Sequence, residues 1–165
     1  MAHNPYTPPA AHVEDSALAL PLDPAGGRDV FRACTLMWVS FGLSALIDLV
    51  EIFRSLGGPI AVVVGTIIGM AFGVGIGLLM TWWFTSRLRR GRNWMRVLLT
   101  VLAVLSIAAT ILFWNWYRSI VVPVYATNPV MAVLGGLQFV FWLVSLGLLF
   151  TPRSNTWFAA MKEAR

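Results

Sequence analysis

Residues 60–85 read IAVVVGTIIGMAFGVGIGLLMTWWFT, a run with no charged side chain. At 1.5 Å per residue this run makes a helix of about 39 Å, longer than the roughly 30 Å of a hydrocarbon core. It therefore crosses a membrane with tilt or overhang to spare. Within it, Ala61, Gly65, Gly69, Gly73 and Gly77 recur at every fourth residue. Positions four apart stack along one helix surface, so the row forms a groove almost without side chains. In lipid, burying apolar surface between helices gains little, and close backbone packing drives association instead. The row is thus expected to be a helix-packing face. Each step of four drifts about 40° around a helix of 3.6 residues per turn. A neighbour following the groove crosses at about −40°.

Outward from this segment the chain repeats the theme. Three more apolar stretches fall at about 33–53, 95–117 and 130–150. Charged residues make up 12% of the chain, against about 25% in soluble domains, so the membrane class holds for the whole length. The predicted fold class is all-α: a four-helix transmembrane bundle in one domain, residues 28–152, with spans at about 33–53, 60–85, 95–117 and 130–150. Trp82, Trp83 and Phe84 end the second span, and Trp114, Trp116 and Tyr117 end the third. Such aromatic belts sit at lipid–water boundaries. Residues 54–59, with Gly57, Gly58 and Pro59, form a tight turn, and 118–129 read as a loop.

Two flanking segments complete the domain plan. Residues 1–27 hold Pro5, Pro8, Pro9, Pro21 and Pro24 with Gly26 and Gly27. Such a stretch cannot bury enough apolar surface to offset its ordering entropy, and a disordered cytoplasmic tail is expected. It has neither the basic start nor the early apolar core of a signal peptide. Residues 153–165 form a cytoplasmic tail containing a short interfacial helix, with Ser154 as N-cap and Trp157, Phe158 and Met161 on the face meeting the membrane surface.

Charge fixes the expected orientation. Of the twelve basic residues, Arg28, Arg32, Arg87, Arg89, Arg90, Arg92, Arg96, Arg153, Lys162 and Arg165 fall on one side of a four-span model. Only Arg54 and Arg118 fall on the other. The positive-inside rule places both termini in the cytoplasm. The net charge of +5 does not indicate nucleic acid, because the basic residues cluster between apolar spans as a solvated, orienting group.

The catalytic inventory is short. Cys34 is the sole cysteine, and His3 and His12 both lie in the proline-bearing tail. No Ser/His/Asp set, no metal-ligand spacing and no phosphate loop can be assembled. No enzyme, no cofactor and no metal are expected.

The first span carries the one polar feature inside the membrane. Ser40, Ser44, Asp48, Glu51 and Ser55 fall within less than a quarter-turn of one another. A carboxylate at a helix centre costs roughly 2.5–3.5 kcal/mol on insertion scales, so this stripe should face the bundle interior or a water-filled crevice. Asp48 and Glu51 are the candidate ion or proton site, with Ser44, Arg54, Arg118 and Gln138 as partners. The competing reading is a polar contact that fixes helix register. For the glycine row, small residues on the third span (Ala103, Ser106, Thr110) and the fourth (Ala132, Gly135, Gly136) offer faces for internal packing. The competing reading is a surface for a second copy or a partner's membrane helix.

Three segments carry a resemblance: Asn4-Pro5-Tyr6-Thr7-Pro8-Pro9, Arg90-Gly91-Arg92-Asn93-Trp94-Met95-Arg96, and residues 148–158, LLFTPRSNTWF. Together they resemble small four-span bacterial inner-membrane proteins of uncharacterised family. The resemblance implies a bacterial cytoplasmic membrane and brings no activity or catalytic residue. The resulting expectation is a non-enzymatic accessory or assembly component whose partners are the lipid bilayer and either a second copy or another membrane protein. An oligomeric ion channel or small transporter using Asp48 and Glu51 is the alternative.

Overall fold

The computed structural model describes residues 24–163, apart from the side chains at 24–26, 120, 121 and 124. These residues form six helices: α1 (Pro24–Ser55), α2 (Ile60–Arg89), α3 (Trp94–Leu112), α4 (Trp114–Thr127), α5 (Pro129–Leu149) and α6 (Pro152–Glu163). Four of them, α1, α2, α3 and α5, are long and apolar enough to cross a membrane. The chain is an all-helical protein with four membrane-capable helices.

The helix ends follow local chemistry. Pro24 opens α1, a position where the missing N–H has no partner to lose. The α1–α2 turn closes with Gly58 N–H donating to Ser55 O at 2.9 Å. At the end of α2, Gly91 adopts φ +68°. Its N–H reaches Leu88 O at 2.9 Å, and Arg92 N–H reaches Arg87 O at 3.3 Å. This is a Schellman cap, which favours glycine at its left-handed position. Asn128 caps α5 through its side-chain oxygen, which accepts from Val130 N–H at 3.0 Å and Met131 N–H at 3.4 Å.

Three sequence expectations are corrected here. Residues 24–27, expected in the tail, are the first turn of α1; the rest of that expectation, residues 1–23 with His3 and His12, lies outside the described residues. The third span ends at Leu112, and most of the expected loop 118–129 belongs to α4. Pro123 lies inside α4 and removes a single backbone donor, which a surface helix tolerates more readily than a buried one. Finally, Ser154 is not the cap of the last helix. Thr151 is: its Oγ1 accepts from Ser154 N–H at 3.2 Å, while Ser154 Oγ donates back to Leu148 O at 2.7 Å.

The core sits at one end of the bundle. Val30, Ala33, Cys34, Leu88, Met95, Leu149 and Phe158 are buried together, joining the start of α1, the end of α2, the start of α3, the end of α5 and α6. The C-terminal helix therefore packs its aromatic face inward. Trp157 and Phe158 are buried against this cluster rather than exposed as the interfacial face expected, and the small Gly27 of α1 lets the Trp157 indole approach. A Cβ at Gly27 would stand 3.2 Å from Trp157 Nε1. From this end α1 runs antiparallel to both α5 and α2: Thr151 Oγ1 donates to Asp29 Oδ2 at 3.3 Å, Ser40 Oγ to Gln138 O at 3.1 Å, and Cys34 Sγ to Thr85 O at 3.9 Å.

Candidate functional site

The polar stripe of α1 is distributed between several neighbours. Ser40, buried, donates to the backbone carbonyl of Gln138 and so pins α1 to α5. Ser44 borders a small cavity of about 250 Å³ between α1, α2, α3 and α5, which Phe41 and Gly77 also line. Glu51 Oε2 accepts from Arg54 Nη1 at 3.2 Å, and both side chains remain substantially exposed. The same guanidinium nitrogen lies 3.8 Å from Met131 Sδ of α5. Arg118 is exposed on α4, and among the described residues no ion pair joins it to Asp48 or Glu51. Thus Glu51 and Arg54 come together as the i,i+3 spacing suggested, and Arg118 does not join them.

Asp48 is half-buried, and its charge reaches α4. Burial pushes the Tyr125 phenol above its ordinary pKa, and the charges of Tyr117 and Asp48 push in the same direction. The Tyr125 ring lies directly on α5 at Gly135: a Cβ there would stand 2.7 Å from Tyr125 Cε1. Gln138 follows one turn along that helix.

Around these residues the structure opens a cleft of about 610 Å³ between α1, α3, α4 and α5. Its wall mixes aromatic faces (Trp114, Tyr117, Tyr125, Trp142) with the polar groups of Ser106, Thr110 and Gln138. Trp114 stacks on Tyr117, with ring centroids 6.0 Å apart and planes 20° from parallel. A second hollow of about 540 Å³ adjoins it along α3, sharing Ser106, Thr110 and Tyr117. Tyr125 falls in the stretch expected as a loop and is instead part of α4, so the sequence pattern does not reveal this site. The signal available was Gly135-Gly136, a pair that marks close approach of another chain segment. The approaching group is an aromatic ring from α4, not the glycine row of α2.

The glycine row meets the rest of the chain only at one end. A Cβ at Gly77 would stand 2.8 Å from Phe41 Cε2 of α1, whereas Gly65, Gly69 and Gly73 have nothing within 4 Å of theirs among the described residues. Ala61 is exposed. Internal packing along the full row is therefore not found. The reason is geometric: the row winds around α2, a side chain of α1 (Phe41) reaches its glycines only at Gly77, and α3 touches α2 sparingly.

At the opposite end of the bundle from Glu51, Arg96 is a site the sequence did not distinguish from its neighbours. It is buried, not solvated. Its Nη1 donates to Leu149 O at 3.0 Å and to Asn155 Oδ1 at 2.6 Å, and its Nε donates to Asn93 Oδ1 at 2.7 Å. Nη2 also donates to Asn93 Oδ1. The planar guanidinium fork suits three acceptors held on α6, α5 and the α3 start. Among the described residues no group of three or more histidine, cysteine or carboxylate side chains could hold a metal ion.

Comparison with protein-family models, curated proteins and solved structures finds no match to this chain.

Proposed function

We propose that the chain is a non-enzymatic multi-pass protein of the bacterial cytoplasmic membrane, an accessory or assembly component that associates with a second copy or a partner helix through the small-residue face of α2. Both ends of the four-span domain then lie in the cytoplasm, in keeping with the strong asymmetry of basic residues. The observation that carries the reading is the contrast along one row. Gly77 receives a side chain from α1, while among the described residues nothing covers Gly65, Gly69 and Gly73, on a span with none of its most apolar stretch buried. Glycine in a helix interior costs up to about 1 kcal/mol relative to alanine. Three open glycines are hard to account for by folding of the isolated chain, and a helix seated against them supplies the compensation. The pairing of Glu51 with Arg54 supports a structural role for that carboxylate over relay of an ion.

The test is association in lipid. Protein carrying Cys34→Ser and Gly69→Cys, in native membranes, is expected to form a cross-linked dimer or a specific adduct with one partner. Gly69→Leu is expected to abolish association while leaving detergent thermal unfolding unchanged. A chain that stays monomeric and partner-free in native membranes, or that associates equally well as Gly69→Leu, rejects the reading. Orientation is checked separately with an impermeant maleimide on spheroplasts, which should label Gly57→Cys and spare Arg153→Cys.

A further inference from the structure

The cleft between α1, α3, α4 and α5 has the dimensions of a small-molecule site, for which about 300–1,000 Å³ is usual, at about 610 Å³. Some of its polar side chains are unspent. The side chains of Tyr125 and Gln138 are half-buried, and neither makes a side-chain hydrogen bond among the described residues. Their polar atoms stay accessible to the cleft rather than sealed, since the one buried side-chain nitrogen or oxygen without a partner among the described residues is Arg92 Nε. Where lipid replaces water, an accessible donor is costly to leave unmet. Ser40 and Thr110, by contrast, have already donated their hydroxyl protons to backbone carbonyls.

The chemistry of the wall narrows what could satisfy them. A tyrosine hydroxyl and a carboxamide NH2 both donate, so they call for oxygen acceptors; the amide oxygen can in turn take a hydroxyl. Among the described residues no lysine or arginine lines the cleft, so it offers an anionic head no counter-charge. The Trp114–Tyr117 stack and Trp142 provide flat apolar surfaces. The adjoining hollow along α3 continues the apolar wall sideways, where a membrane-soluble body could lie.

We infer that this cleft binds one uncharged amphiphile, its oxygen-bearing head held by the Tyr125 hydroxyl and the Gln138 carboxamide and its apolar body against Trp114 and Trp142. Gly135 is the positioning residue, because a Cβ there would stand 2.7 Å from Tyr125 Cε1 and push the ring off the cleft wall it shares with Gln138. The head chemistry fits two sources, the ring carbonyls of a lipid-soluble quinone and the ester and hydroxyls of an acylglycerol. This assignment is independent of the α2 face, since α2 contributes nothing to the cleft wall.

The test uses the full chain in phosphatidylcholine nanodiscs, photolabelled with a diazirine-bearing monoacylglycerol. Labelling is expected to saturate and to map to residues 114–125 and 135–142. Unlabelled 1-monooleoylglycerol and decylubiquinone compete, and whichever displaces the label at lower concentration identifies the source. Oleate should compete at least about tenfold more weakly. Tyr125→Phe with Gln138→Leu is expected to weaken labelling by about tenfold, the loss of two ordinary hydrogen bonds, with unchanged helical circular dichroism and elution volume. Should that variant fail to fold, the labelled positions and competition order in the wild type decide. Labelling that does not saturate, that spreads evenly over lipid-facing positions, that neither neutral competitor displaces, that oleate displaces equally well, or that a folded double variant retains in full overturns the assignment.

Discussion

The guanidinium carbon of Arg96 lies 4.3 Å from the centre of the Phe158 ring, and this contact joins the first turn of α3 to the last helix of the chain. A cation over an aromatic face gains about 0.5–2 kcal/mol, more as water is excluded. Here the same guanidinium also satisfies Leu149 O, Asn155 Oδ1 and Asn93 Oδ1, so one residue holds the arginine-rich end together.

Arg96→Lys is expected to destabilise the protein by about 1.5–3 kcal/mol, the range for hydrogen bonds to charged groups. A lysine ammonium is a compact point charge without the planar fork that matches these acceptors. Thermal unfolding in mild detergent measures this. Arg153→Lys, at an exposed position, is the control and should leave the midpoint unchanged. Equal midpoints for the two variants would show that Arg96 is not a structural hub.

Gly91→Ala should be costly for two separable reasons. The left-handed backbone at φ +68° costs a residue with a Cβ about 1–2 kcal/mol. The new methyl would also stand 2.5 Å from Met161 Cβ. Met161→Ala keeps that Cβ and so cannot relieve the clash, whereas Met161→Gly removes it. A double-mutant cycle should therefore show coupling between Gly91→Ala and Met161→Gly, with less between Gly91→Ala and Met161→Ala.

Gly135 and Gly136 are adjacent in sequence and opposite in expected behaviour. A methyl at 135 meets the Tyr125 ring at 2.7 Å, while one at 136 meets open space. Gly136→Ala is expected to be neutral or to stabilise by up to about 1 kcal/mol through helix propensity. Gly135→Ala should lower the unfolding midpoint and recover in the Tyr125→Ala background. If both alanines behave alike, α4 does not dock on α5 as described.

The Tyr125 phenol ionises above its ordinary value because of burial first, then the charges of Tyr117 and Asp48. Its absorbance titration, obtained as wild type minus Tyr125→Phe, should have a midpoint above about 10, and Asp48→Asn should move that midpoint down. At neutral pH this tyrosine takes nothing from stability. As pH rises past about 10, the unfolded chain ionises first and the folded state loses ground until the raised value is reached. A midpoint that ignores Asp48→Asn would place the carboxylate away from α4.

Much of the helical plan was legible in the chain. Apolar runs long enough for a bilayer carry a strong, local signal, and the span at 60–85 coincides with the body of α2. The i,i+3 spacing of Glu51 and Arg54 likewise encoded a contact within one helix. What failed was of another kind. Residues 118–127 looked like a loop because Pro123 and polar neighbours interrupt the pattern, yet a single missing N–H does not unmake a helix that has α5 to pack on. Trp157 and Phe158 looked like a surface face because periodicity gives an apolar stripe and says nothing of what covers it.

Sequence alone determined that this is a helical protein with four segments able to span a membrane, since hydrophobic length and helical period are properties of consecutive residues. It also marked where backbones could come close, because glycine lacks a side chain wherever it is placed. Tertiary structure alone decided which glycines are filled. Phe41 occupies Gly77 and Tyr125 occupies Gly135, while Gly65, Gly69 and Gly73 stay open among the described residues. Helix spacing repeats identically along α2, but the antiparallel crossing with α1 brings a neighbour to only one end of the row. Such crossings are set by contacts between residues far apart in the chain.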